Sequence, residues 1–95
     1  MSNDIWWVLK SGDVDALSSM LPADAATLRD PNGISLVHAA ADYGHVDILR
    51  LLISRGLPVN EVDSSGFTPL ELAAMEGHYN ATVFLLESGA SGKIV

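Results

Sequence analysis

The chain has 95 residues, 48% of them hydrophobic, with twelve acidic against five basic residues for a formal charge of −7, and no cysteine. That charge repels phosphate backbones and argues against nucleic acid as a partner, while the missing thiols exclude disulfides, cysteine nucleophiles and cysteine-based zinc sites. No basic leader with an apolar stretch and no membrane-length apolar run is visible, so composition predicts one folded domain over residues 1–95, soluble, away from membranes, in the cytoplasm or the nucleus.

In chain order, the first predicted helix follows Asn3 as its cap and runs through Ile5, Trp6, Trp7, Val8 and Leu9 to Gly12. A second helix follows, with Val14, Leu17 and Leu21 at helical spacing. The stretch Arg29-Asp30-Pro31-Asn32-Gly33 then carries turn residues and predicts a projecting hairpin. Ser35 caps a third helix, which holds Ala39-Ala40-Ala41 and stops at Gly44. A fourth, with Val46, Leu49, Leu52 and Ile53 on one face, ends at Gly56. A second arm, Leu57 to Gly66, again reads as an extended segment with a tight turn. Thr68, Pro69 and Glu71 are a cap, a first helical position and a capping-box partner, and they open a fifth helix that stops at Gly77. Tyr79, Leu85 and Leu86 predict a sixth, ending at Gly89.

These elements repeat. Residues 30–62 overlie residues 63–95 with Asp30 on Asp63, Gly33 on Gly66, Ala40-Ala41 on Ala73-Ala74, Gly44-His45 on Gly77-His78 and Gly56 on Gly89. Ser11-Gly12-Asp13-Val14-Asp15 lies 32 residues before Tyr43-Gly44-His45-Val46-Asp47, one fewer than the 33 of the later units, and extends the repeat backwards with less fidelity. A period of this length marks modules that bury their apolar faces only against neighbours, and three of them are expected, over about residues 2–29, 30–62 and 63–92.

The run from Asp63 to His78, with its Asp, Gly, Thr-Pro-Leu, Ala-Ala and Gly-His in order, resembles the ankyrin repeat. The chain departs from that pattern at Leu36-Val37 (Pro-Leu in the family), at Glu71 (His) and at Ala81-Thr82 (bulky aliphatics). The resemblance implies an all-α solenoid of three stacked helix-turn-helix units with short projecting β-hairpin loops. It further implies a non-catalytic protein-protein interaction module, without cofactors, whose groove and hairpin tips hold a protein partner. The opening from Asp4 to Asp15 is also similar to that of small myotrophin-type ankyrin proteins, which implies sequestration of actin capping protein as an alternative.

Carried over residue by residue, the family's variable positions place Pro31, Asn32 and Ile34 on the first hairpin tip, and Ser64, Ser65 and Phe67 on the second. Arg29 and Val62 fall at the hairpin bases, and Lys10, Ser11, Asp42, Tyr43, Met75 and Glu76 on the first helices. Tyr43, Phe67 and Met75 are the expected anchors, because aromatic rings and methionine supply contact area at low ordering cost. Phe67 has a second reading as cover for its own hairpin, and Met75 as filler of a helix gap. Trp6 aligns with His38 and is expected to cap the end of the stack, whereas Trp7 aligns with Ala39 beside the groove and serves either packing or binding. Acidic charge makes a basic protein surface the fitting partner.

Asp30 and Asp63 occupy turn positions where a carboxylate bonds nearby amides. His45 and His78 recur at one repeat position and share a structural task, and His38 fits a network joining neighbouring caps; no metal site is expected. Ser35 and His38 lie one helical turn apart without an orienting group or oxyanion site, so the pair reads as a cap and the chain as no enzyme. A monomer is expected. The competing class is a terminal piece of a longer array, self-associating through its last repeat, suggested by the stop at Gly92-Lys93-Ile94-Val95.

Overall fold

A computed structural model describes residues 4–89. Its six α-helices are α1 (Asp4–Ser11), α2 (Val14–Met20), α3 (Leu36–Tyr43), α4 (Val46–Ser54), α5 (Pro69–Met75) and α6 (Tyr79–Glu87). They form antiparallel pairs α1–α2, α3–α4 and α5–α6, each stacked on the next. The first helices α1, α3 and α5 pack side by side as one layer, and α2, α4 and α6 as a second. The expected cap Asn3 and the expected stop at Gly92 to Val95 lie outside the described residues.

Between the layers, Leu9, Leu17, Leu36, Ile48, Leu49, Leu52, Leu70 and Leu85 are buried. Each such side chain contributes about 2 kcal/mol relative to an exposed one. Ala40, Ala41 and Ala73 are buried as well. A methyl group at these positions leaves room for neighbouring first helices, so the alanine runs read from the sequence are the seam of the stack. Trp6 is half-buried and packs against this core.

Helix starts follow local chemistry. Asp13 caps α2 by accepting from the Ala16 amide at 3.1 Å. Ser35 caps α3 by accepting from the His38 amide at 3.1 Å. At α5 the box is complete: Thr68 Oγ1 accepts from the Glu71 amide at 3.2 Å and Glu71 Oε1 accepts from the Thr68 amide at 2.9 Å. Thr68 is buried, so water does not readily take the place of its hydroxyl at the Glu71 amide. Thr68→Ala is expected to lower stability by about 1–2 kcal/mol, read as a shift in the urea midpoint at constant slope.

Each hairpin is a tight turn, and no strand is assigned among the described residues. In the first, the Gly33 amide donates to the Asp30 carbonyl at 2.9 Å and the Asp30 amide to the Ile34 carbonyl at 3.0 Å. The second repeats this with Gly66, Asp63 and Phe67 at 3.0 and 2.9 Å. Asp30 Oδ1 accepts from the Asn32 and Ile34 amides, and Asp63 Oδ1 from the Ser65 and Phe67 amides. Both carboxylates therefore hold their own turns, as expected from their position.

One element escapes the sequence reading. After α2 the chain turns out at Leu21 and makes a 3₁₀ turn, Ala25–Thr27, in which Ala25 is buried. The Thr27 amide and hydroxyl both bond the Asp24 carbonyl, at 2.9 and 2.8 Å. The first arm lacks a helix-ending glycine, and this turn occupies the space.

Candidate protein-recognition surface

Three residues of each first helix, spaced i, i+3, i+4, share one face. They are Trp7, Lys10 and Ser11 on α1; Ala39, Asp42 and Tyr43 on α3; and Leu72 and Met75 on α5 with its C-cap Glu76. Because α1, α3 and α5 pack side by side, these positions run from helix to helix across the layer, with Trp7, Lys10, Ser11, Tyr43, Met75 and Glu76 exposed and Asp42 and Leu72 half-buried. Trp7 is 67% exposed, Met75 59% and Tyr43 40%, whereas Ala39 is buried. Ala39, on the helix between α1 and α5, offers only a small, buried side chain between the exposed Trp7 and Met75. Leu72, half-buried, is missing from the residues the sequence singles out, although its alignment with Ala39 and Trp7 places it here.

At the hairpins, Pro31, Asn32, Ser64 and Ser65 are exposed, and Ser64 Oγ donates to the Asn32 carbonyl at 3.3 Å, tying one tip to the next. Ile34 is corrected: it is half-buried on the core at the foot of its turn, not at the tip. Phe67 lies at the same foot, also half-buried. The reason is the closing bond of each turn, which draws the fifth residue down to the base. Val62 is 60% exposed beside the second turn. Arg29 is already engaged: its Nη2 pairs with Glu61 Oε1 at 3.1 Å and its Nη1 donates to the Ala26 and Leu28 carbonyls. This exposed pair adds little stability but neutralises the charge at the hairpin base.

The charges free to meet a partner on this face are Lys10, Asp42 and Glu76, none of which forms an ion pair among the described residues. Their main chain is less free. His45 Nε2 donates to the Lys10 carbonyl at 2.9 Å and His78 Nε2 to the Asp42 carbonyl at 2.8 Å. Each carbonyl can only accept, so Nε2 carries the hydrogen in both rings. These two histidines cap no helix by side chain. Their shared task is to staple each second-helix start to the first helix of the preceding repeat.

His38 is the third histidine to bond across repeats: Nε2 donates to the Phe67 carbonyl at 2.9 Å, and Nδ1 lies 2.6 Å from Ser35 Oγ. This links the Ser35 cap to the residue that precedes the Thr68 cap, close to the cap-joining network expected of His38. Both ring nitrogens are occupied and the pair is buried, so Ser35 and His38 serve packing and capping. No group of three or more possible metal ligands occurs among the described residues.

A family model of three ankyrin repeats matches residues 5–94. The chain belongs to the ankyrin repeat family. It is 36% identical over 94 residues to the E3 ubiquitin-protein ligase XB3 of Oryza sativa subsp. japonica, covering 94% of this chain and 20% of that protein. It is 42% identical over 76 residues to the NF-kappa-B inhibitor cactus of Drosophila melanogaster, covering 78% of this chain and 15% of that protein. With the protein phosphatase 1 regulatory subunit 27 of Mus musculus it shares 26% identity over 92 residues, 93% of this chain and 60% of that protein. The chain thus spans between 15% and 60% of the length of these relatives. Ankyrin repeats are protein-protein interaction modules, and the family is generally non-catalytic. No helix among the described residues is long and apolar enough to cross a membrane.

Proposed function

We propose that this ankyrin domain acts without catalysis, holding a protein partner across the first-helix face and the hairpin tips. Trp7, Lys10, Ser11, Asp42, Tyr43, Met75 and Glu76 supply the floor; Pro31, Asn32, Ser64 and Ser65 supply the tips, with Arg29, Val62 and Phe67 at their feet. The observation that carries this reading is the exposure of Trp7, Tyr43 and Met75 on one face of a layer whose other side is core. Residues of these types often dominate binding energy when buried by a partner. The chain's charge of −7 supports a partner with a basic surface.

Tyr43 tests this reading. Tyr43→Ala is expected to weaken capture of a partner isolated with the wild-type domain by about 2 kcal/mol, some thirtyfold, with helical circular dichroism unchanged. Undiminished capture would overturn the reading. Loss of helicity would make Tyr43 a structural residue; its ring already lies 5.9 Å from that of His45.

A further inference from the structure

The first-helix face is built unevenly along the stack. Lys10 lies in the last turn of α1, where a cation complements the negative helix end. No basic residue occupies the last turn of α3 or α5; Asp42 lies there in α3 and Glu76 is the C-cap of α5. A carboxylate at a helix C-terminus faces the dipole unfavourably, and a second at the neighbouring helix end adds repulsion. Neither is compensated by an ion pair among the described residues, while Asp30, Asp63, Arg29 and Glu61 are all occupied by bonds of their own. The negative potential near α3 and α5 is thus directed outward, next to the apolar surface of Tyr43, Leu72 and Met75.

We infer that the occupant of this face is a short linear segment of a partner protein that seats one apolar side chain over Ala39, between Trp7 and Met75, and sets a lysine or arginine against Asp42 and Glu76. The inference rests on the recognition surface proposed above and names the chemistry of what fills it. Adjacent helices pack about 9 Å apart, so a path from α1 to α5 covers about 18 Å. About six extended residues span that distance. Lys10 fixes direction, because it repels a basic residue placed at the α1 end and favours a carboxylate there. A segment reversed on the face would meet like charge at both ends.

The test is selection from a random twelve-residue peptide library displayed on phage, with the intact domain as bait. The expected result is enrichment of peptides carrying an apolar residue next to lysine or arginine. Neutralising Asp42→Asn or Glu76→Gln should weaken the synthetic peptide about two- to fivefold each, the range of exposed charge pairs, and flatten its salt dependence. Trp7 should shift its emission on binding. Peptides without basic bias that still lose affinity to Tyr43→Ala would overturn this inference and leave the surface reading standing. Peptides indifferent to both Tyr43→Ala and Trp7→Ala would overturn the two together, whereas no enrichment would overturn the linear segment and leave the surface reading to the capture test.

Discussion

Gly44→Ala is expected to destabilise the domain by about 3 kcal/mol, whereas Gly77→Ala, at the same place in the next repeat, costs about 1. Both glycines are left-handed, with φ of 75° and 76°. A side chain there carries a backbone penalty of about 1–2 kcal/mol in either case. The neighbours differ. A Cβ on Gly44 would stand 2.6 Å from His78 Nδ1 and 2.7 Å from Cγ, while one on Gly77 meets nothing within 4 Å. The His78 ring has to move, which breaks its 2.8 Å bond to the Asp42 carbonyl and leaves two half-buried polar groups without that partner. Gly12 should fall between them, since its Cβ would lie 3.2 Å from His45 Cε1. Thermal unfolding measures the difference: in a domain of this size 3 kcal/mol lowers Tm by about 15 °C, and 1 kcal/mol by about 5 °C. Equal losses at Gly44 and Gly77 would mean that the histidine staple contributes nothing to repeat docking.

What could be read from the sequence alone was what neighbouring residues decide among themselves. The caps at Ser35 and Thr68 and the turn carboxylates Asp30 and Asp63 all involve groups within four residues, and each has a residue-type signature. The repeat itself is legible for a related reason, since equal packing demands recur at equal spacing. Bonds across repeats are different. His45 reaches Lys10 and His78 reaches Asp42 over more than thirty residues, and the acceptors are carbonyls, which leave no trace in residue type. The recurrence of Gly-His was therefore visible while its partner was not. Depth on the hairpins was equally hidden: Ile34 and Tyr43 are both apolar at variable positions, yet the turn's closing bond lowers one to the core and the helix face leaves the other exposed.

Because His38 is buried in α3 and also bonds the foot of the second hairpin, its loss is expected to disturb stability and binding together. It adjoins Ala39 in the chain, and its Nε2 donates to the carbonyl of Phe67. In His38→Ala, that carbonyl and the Ser35 hydroxyl each lose a partner and a buried ring leaves a void, a combined cost of about 3 kcal/mol. The equivalent residue of the third repeat, Glu71, turns back on its own Thr68, so Glu71→Ala should cost only about 1 kcal/mol. His38→Gln separates the two jobs. Glutamine at this position can close a local capping box with Ser35 as Glu71 does with Thr68, and it should recover about 1 kcal/mol without restoring the bond to Phe67. Urea titration reads the stability of the three variants, and hydrogen exchange reads the joint, with the amides that close the second turn, Gly66 and Asp63, released ahead of those of α3. Were His38→Gln as stable as wild type with those amides still protected, the second hairpin would be held by its own turn, and the angle between tips and floor would have another origin.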